Sequence, residues 1–102
     1  MNSKTIPVRT KIIDLKKELF KFKKQKFSEE ERKLNKEIEV LKLENEISKE
    51  TSNSQKITKL KKVDSIKKDI AQFDRKLQTF DANIKKKDDD IVKKIKELEK
   101  LN

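Results

Sequence analysis

The chain has 102 residues, of which 31% are hydrophobic and 47% charged, and its formal net charge is +10. These proportions supply enough apolar surface for a seam between helices and too little for a thick globular core. Because cysteine and histidine are absent, disulfides, zinc sites and nucleophile–histidine pairs are excluded. With no glycine and a single proline, tight hairpin turns lack their usual residues, so we expect an all-α fold.

The first predicted element is a helix over residues 7–50, which follows a loose segment over residues 1–6. Pro7 marks its start, because proline is tolerated in the opening turn of a helix. Apolar residues then recur every seven positions, which is typical of a helix that packs along one stripe. The predicted seam of this helix consists of Ile13, Phe20, Phe27, Leu34, Ile38 and Leu41.

A run of small polar residues, TSNSQ, follows the first helix. The seven-residue pattern, carried forward from Leu41, lands on polar and charged residues, so the two halves of the chain do not share one register. Ser52 and Gln55 have capping-box spacing, and Asn53 tolerates a left-handed backbone. We therefore predict a turn over residues 51–54 and an antiparallel two-helix hairpin or coiled coil. One long helix with a phase slip is the alternative.

The second predicted helix covers residues 55–101. Its apolar residues alternate at spacings of three and four, which predicts the other half of the seam. A change from lysines to aspartates near residues 87–88 matches a helix end followed by a helix start. A kink or a short third helix there is the alternative to one continuous helix. The predicted seam consists of Val63, Ile66, Ile70, Phe73, Leu77, Phe80 and Ile84, and is continued by Ile91, Leu98 and Leu101 with interruptions at Lys87 and Lys94.

A basic run, KKELFKFKKQK, lies within the first helix. Lys17, Lys21 and Lys24 share a helix face beside the apolar stripe, so the run predicts a binding strip for a polyanion or an acidic protein. A solvated face, whose lysine stems cover apolar neighbours, is the alternative. The candidate binding residues are Lys16, Lys17, Lys21, Lys23, Lys24 and Lys26.

The sequence offers no constellation suited to catalysis. The acidic triplets at residues 29–31 and 88–90 point in different directions on a helix, so they do not predict a cation site. We expect no enzyme activity, no metal and no cofactor. Since no apolar run exceeds two residues, we also expect no membrane span and no signal peptide, and a cytoplasmic or nuclear address, with cytoplasmic as our choice.

Two short segments resemble the tubulin-binding cofactor A family. The segment VRTKII, Val8–Ile13, is similar to the opening of that family's first helix, and Ile70 followed by Arg75, Lys76 and Leu77 resembles its second-helix motif. The resemblance implies a small antiparallel helical bundle that captures folding β-tubulin, an acidic client.

Together these features predict a non-catalytic coiled-coil adaptor or chaperone, in which an apolar stripe supplies burial and lysines speed encounter with an acidic protein such as tubulin. A basic nucleic-acid- or ribosome-associated helical protein is one alternative, and a structural scaffold component is another. Because two helices bury only one seam, we expect self-association, a partner helix or a third helix to complete the structure.

Overall fold

The computed structural model describes residues 3–102, which form two long helices packed against each other as an all-α helical hairpin. Helix α1 covers Thr5–Lys49 and helix α2 covers Asn53–Leu101. The predicted fold class is therefore confirmed. Residues 1–2, which open the predicted loose segment, lie outside the described residues.

Helix α1 begins at Thr5, two residues before the predicted start. Thr5 is fully buried, and its Oγ1 accepts a hydrogen bond of 3.3 Å from Arg9 Nε. Pro7 lies in the first turn, where backbone N–H groups have no acceptor within the helix, so its missing N–H breaks no helical hydrogen bond. The predicted loose segment is thus wrong for Thr5 and Ile6, which are helical, and residues 3–4 form a turn.

Glu50 organises the connection between the helices. Its Oε1 accepts hydrogen bonds from the backbone nitrogens of Thr51 and Ser52 at 3.1 and 3.0 Å. Its Oε2 accepts a hydrogen bond of 3.1 Å from Lys59 Nζ. One carboxylate therefore holds the turn and joins it to the first part of α2.

Helix α2 starts at Asn53, two residues before the predicted boundary. Ser52 Oγ accepts a hydrogen bond of 3.4 Å from the backbone nitrogen of Gln55, so Ser52 caps the helix at the capping-box spacing seen in the sequence. No residue in the described part of the chain has a positive φ. The left-handed backbone that Asn53 tolerates is not used, because the side chains of Glu50 and Ser52 bind the free N–H groups of the turn.

The turn is expected to become less stable in acid. Hydrogen bonds from Ser52 and then Lys59 hold the pKa of Glu50 below its ordinary value. The folded state therefore gains stability from this carboxylate above its unfolded pKa of about 4.3, and loses it as the pH falls through the lower folded pKa. Glu50→Gln should lower Tm at neutral pH, and its Tm should approach that of the wild type below about pH 4. Thermal unfolding from pH 7 to pH 3 measures this difference.

An exposed carboxylate provides the control for that experiment. Glu99→Gln removes the same charge from an exposed position of α2 and leaves the turn intact. Its Tm should follow the wild-type curve closely at every pH. A Glu50→Gln curve that runs parallel to the wild type down to pH 3 would contradict the assigned role of Glu50.

Residues 27–77 form one compact unit, the turn unit. Its core consists of Val40 and Leu43 on α1 and Val63 and Ile66 on α2. Partly buried Ile47 and Ile70 pack against this core. Lys33 Nζ lies 2.5 Å from Asp74 Oδ1, and this hydrogen bond raises the pKa of Lys33.

The second compact unit, the terminal unit, combines the chain up to Lys26 with Gln78–Asn102. Lys87 Nζ lies 2.5 Å from Glu18 Oε2, and this hydrogen bond lowers the pKa of Glu18. Lys26 Nζ lies 2.6 Å from Asp81 Oδ1. The buried apolar side chains of the unit are Val8, Ile12, Leu15 and Ile91.

The structure places the predicted seam of α2 on the side that is shielded from solvent. Val63 and Ile66 are buried, and the other members are half-buried: Ile70, Phe73, Leu77, Phe80 and Ile84. Helix α2 continues without a break through residues 87–88, so the alternative of a third helix is wrong for the described part of the chain. Ile84, Lys87 and Ile91 follow one another at spacings of three and four, so the seam pattern of α2 runs through residues 87–88. This pattern favours a continuous helix over a helix end.

The predicted seam of α1 is wrong. Its six members, Ile13, Phe20, Phe27, Leu34, Ile38 and Leu41, are between 48% and 65% exposed. Helix α1 instead packs through a second row, whose members alternate at spacings of four and three. This packed row consists of Val8, Ile12, Leu15, Leu19, Phe22, Lys26, Glu29, Lys33, Lys36, Val40, Leu43 and Ile47, all of them buried or half-buried.

Helix α1 packs through this row because of the residues at the second seam position of each seven-residue repeat. A two-helix seam buries the most apolar surface when two positions of every seven are apolar. The packed row meets this condition over residues 8–22 and 40–47. The rejected row is apolar at one position, while its companion position is apolar only at Ile38 and is otherwise polar or charged, as at Lys17, Lys24 and Glu31. Burying those charges without partners would oppose folding.

Candidate protein-binding surface

Six of the large apolar side chains that helix α1 exposes to solvent recur at a regular spacing. Each is more than half exposed, and each lies seven residues from the next. Residues at this spacing return to almost the same helix face, with a drift of about 20° per repeat. At 3.6 residues per turn, this face lies roughly 130° around α1 from the packed row. We call this set the outer row: Ile6, Ile13, Phe20, Phe27, Leu34 and Leu41.

In the terminal unit, basic side chains flank the outer row. Residues three and four positions after a row member lie next to it on the helix surface. These positions hold Arg9, Lys16, Lys17, Lys23 and Lys24. Lys24 Nζ lies 4.9 Å from the centroid of the Phe20 ring, which is within range of a cation–π contact.

The structure separates the six predicted basic-face residues into two groups. Lys16, Lys17, Lys21, Lys23 and Lys24 are exposed. Lys26 is half-buried in the packed row and pairs with Asp81, so its placement on the basic face is wrong. Its spacing of four from Phe22 assigns it to the packed row, a signal already present in the sequence.

In the turn unit, acidic side chains take the same flanking positions. Glu30, Glu37 and Glu44 lie three residues after Phe27, Leu34 and Leu41. Glu31 lies four residues after Phe27. Within the unit, Glu37 Oε1 lies 3.7 Å from Lys33 Nζ, and Glu44 Oε1 lies 3.9 Å from Lys67 Nζ. The turn unit therefore presents an apolar row between glutamates.

Sequence reasoning did not predict this acidic flank or the contribution of Ile6. Ile6 fell in the segment expected to be loose, although it lies seven residues before Ile13 and so continues the repeat. In the sequence, the glutamates at residues 30–31 were considered only as part of a cation site, which helix geometry excludes. Their position relative to Phe27 and Leu34 becomes informative only once the row is known to be exposed.

Helix α2 exposes apolar side chains without a seven-residue repeat. Ile57 and Leu60 are about half exposed in the turn unit, and Val92 and Ile95 are exposed in the terminal unit. The residue seven positions after Ile57 is Asp64, so no row develops. Scattered exposed apolar residues are ordinary on protein surfaces, whereas a regular row on one helix face is typical of a helix–helix contact.

The outer row offers apolar burial and, through its flanking residues, charge pairing. In the terminal unit, Arg9, Ile12, Ile13 and Leu98 line a shallow hollow beside it. Across residues 3–102, no group of three or more histidine, cysteine or acidic side chains is placed to hold a metal ion. None of the helices described has the length and apolar character needed to cross a membrane.

The chain was compared with protein-family models, curated proteins and solved structures. None of the three comparisons finds a match.

Proposed function

We propose that this protein is a non-catalytic helical hairpin that binds a helix of a protein partner along the outer row of α1. The observation that carries the proposal is the exposure of six large apolar side chains at seven-residue intervals on one helix. Full burial of one such side chain contributes about 1.5–3 kcal/mol. A row of this kind therefore provides a driving force that exposed charged residues cannot supply.

The period of the row indicates the shape of the partner. A seven-residue apolar repeat matches a second α-helix that supercoils with the first. Helix recognition of this type uses apolar anchors for affinity and flanking charges for orientation and encounter rate. The lysines beside Phe20 favour an acidic partner segment opposite the terminal unit.

A protein partner fits the surface better than a nucleic acid. A polyanion would be attracted by Lys16, Lys17 and Lys24, and repelled by Glu30 and Glu37 on the same helix. The positive charge is almost all lysine, which lacks the planar fork that reads phosphates and bases in a bidentate manner. Binding of tubulin, implied by the family resemblance, stays a prediction.

The proposal is tested by substitutions within the row. Leu34→Ser with Leu41→Ser removes two anchors of the turn unit without touching its core. Immobilised full-length chain should capture partner proteins from a nuclease-treated native extract, and the double variant should retain roughly a tenth or less, because each lost anchor forfeits apolar burial. Quantitative mass spectrometry of the captured proteins measures the ratio.

Helix α2 supplies a matched control. Ile57→Ser with Leu60→Ser removes two apolar side chains of similar exposure from the same unit and leaves the outer row intact. This variant should capture the same proteins as the wild type. Equal capture by the Leu34/Leu41 variant, or loss of every captured protein on nuclease treatment, would count against a protein-binding function.

A further inference from the structure

The charge that flanks the outer row changes sign between the two units. In the terminal unit the row Ile6, Ile13 and Phe20 lies between arginine and lysines. In the turn unit the row Phe27, Leu34 and Leu41 lies mainly between glutamates. The two units thus share the same seven-residue apolar spacing. The charges that flank it are mainly positive in the terminal unit and mainly negative in the turn unit.

The outer row also matches its own reversed copy. When a second α1 runs in the opposite direction, Phe20 meets Phe27, Ile13 meets Leu34, and Ile6 meets Leu41. Two-fold symmetry makes each of these pairs occur twice, as in the isologous contact of a homodimer. All six apolar residues of each copy then find an apolar partner.

Building on the function proposed above, we infer that the partner helix is α1 of a second copy of this chain, bound antiparallel. The lysine-flanked row of one copy's terminal unit lies on the glutamate-flanked row of the other copy's turn unit. Acidic side chains of the kind that the basic flank favours are therefore present in the chain itself, at Glu30, Glu31 and Glu37.

Flanking charges select the antiparallel direction. In an antiparallel pair, equivalent flanks face each other, which places Lys16 opposite Glu30, Lys17 opposite Glu31, and Arg9 opposite Glu37. A parallel pair would place lysines on lysines and glutamates on glutamates, and such like-charge contacts are strongly unfavourable.

Two effects oppose association, and solvent reduces both of them. Each copy carries a net charge of +10, but the Debye length of about 8 Å at physiological ionic strength screens repulsion between distant charges. At the two-fold axis, Lys23 and Lys24 of one copy lie opposite Lys23 and Lys24 of the other. Their long side chains can extend into solvent and away from each other. Close opposite charges across the contact are screened much less.

The exposed area is sufficient for a stable dimer. Six large side chains, each more than half exposed, present roughly 600 Å² of apolar surface per copy, so their complete burial in two copies would remove about 1,200 Å² from solvent, the lower end of the range for specific interfaces. The hairpin also needs such a contact, because a single seam between two helices buries little apolar surface for a chain of this size.

Analytical ultracentrifugation of the full-length chain tests the inference. The wild type should sediment as a dimer that dissociates on dilution. Lys16→Glu with Lys17→Glu should raise the dimer Kd by roughly tenfold or more, because glutamates would then face Glu30 and Glu31. Adding Glu30→Lys and Glu31→Lys to the same chain restores complementary charges and should restore the dimer. The control, Lys85→Glu with Lys86→Glu, makes the same charge change at exposed positions of α2 and should leave Kd unchanged.

Disulfide trapping tests the direction. The natural chain has no cysteine, so Thr10→Cys and Ile38→Cys each introduce a single thiol, at positions that face each other in the antiparallel pair. A mixture of the two variants should form the mixed disulfide in preference to either symmetric one. Preference for symmetric disulfides would overturn the inference by showing a parallel pair.

The outcomes separate this inference from the function it rests on. A chain that remains monomeric at high concentration, or a dimer that survives Leu34→Ser with Leu41→Ser, overturns self-association through the outer row. If a monomeric chain still captures proteins in a manner that depends on those two leucines, the protein-binding function stands with a different partner.

Discussion

Leu43→Ala is expected to lower the free energy of unfolding by about 2–4 kcal/mol, whereas Leu41→Ala is expected to change it by less than about 0.5 kcal/mol. The two leucines lie two residues apart on the same helix. Leu43 is 8% exposed and belongs to the core of the turn unit, while Leu41 is 65% exposed in the outer row. Truncation of Leu43 leaves a cavity among Val40, Val63 and Ile66, and truncation of Leu41 removes atoms that solvent already reaches.

Chemical and thermal unfolding measure this difference. For a domain of this size, a loss of about 2–4 kcal/mol lowers Tm by roughly 10–25 °C. The measurement belongs at concentrations low enough for the chain to be monomeric, so that Leu41→Ala reports only on the hairpin. A larger loss for Leu41→Ala than for Leu43→Ala would mean that α1 packs through the row first predicted from the sequence.

Glu29→Leu is expected to stabilise the hairpin by about 1–3 kcal/mol. The Glu29 side chain is 13% exposed and occupies the packed row. Its Oε1 accepts a hydrogen bond of 3.1 Å from an Arg32 guanidinium nitrogen, while its Oε2 is buried without a hydrogen-bond partner. A buried oxygen without a partner opposes folding, and leucine would replace it with apolar surface suited to a two-helix seam.

Two variants isolate the cause of that gain. Glu29→Gln removes the charge and keeps the polar atoms, so it should recover only part of the increase in Tm. Glu31→Leu places leucine on the exposed side of α1 and, at concentrations low enough for the chain to be monomeric, should leave the unfolding free energy within about 0.5 kcal/mol of the wild type. A Glu29→Leu protein less stable than the wild type would show that this carboxylate has a stabilising role in the packed row.

The middle of the packed row is polar, and this explains why single substitutions at Leu43 and Glu29 should change the unfolding free energy so much. Between Phe22 and Val40, α1 contributes Lys26, Glu29, Lys33 and Lys36 to the seam. Lys26 and Lys33 reach aspartates on α2, and exposed ion pairs of this kind each contribute little. Most of the burial therefore comes from the apolar ends of the row, and stability depends on a few side chains such as Leu15 and Leu43.

Much of α2 could be predicted from the sequence, because it offers one apolar row. Val63, Ile70, Leu77, Ile84 and Ile91 recur at seven-residue spacing, and the companion position is also largely apolar. No competing face exists on that helix, so the local pattern and the packed face agree. The turn was predictable for a similar reason, since the capping-box residues and the change of register fall on the same short stretch.

Helix α1 was a different case, because its sequence contains two apolar rows on different faces. Both rows satisfy helical periodicity, and the outer row is the more regular of the two. Periodicity identifies faces that can pack, and it does not identify which face meets α2. That choice depends on how many apolar side chains from both helices come together, which is a property of the assembled pair.

The amino-acid pattern alone was enough to predict a helical chain, a turn near residue 52 and the buried face of α2. That α1 turns Leu15 and Leu43 inward and leaves Phe20 and Leu34 in solvent follows only from the packed pair of helices. The physical reason is that burial is shared between two helices. The packed row forms the core of the hairpin because, towards both ends of α1, both of its positions meet apolar side chains of α2, whereas the outer row offers mainly one apolar position in seven and stays outside that core.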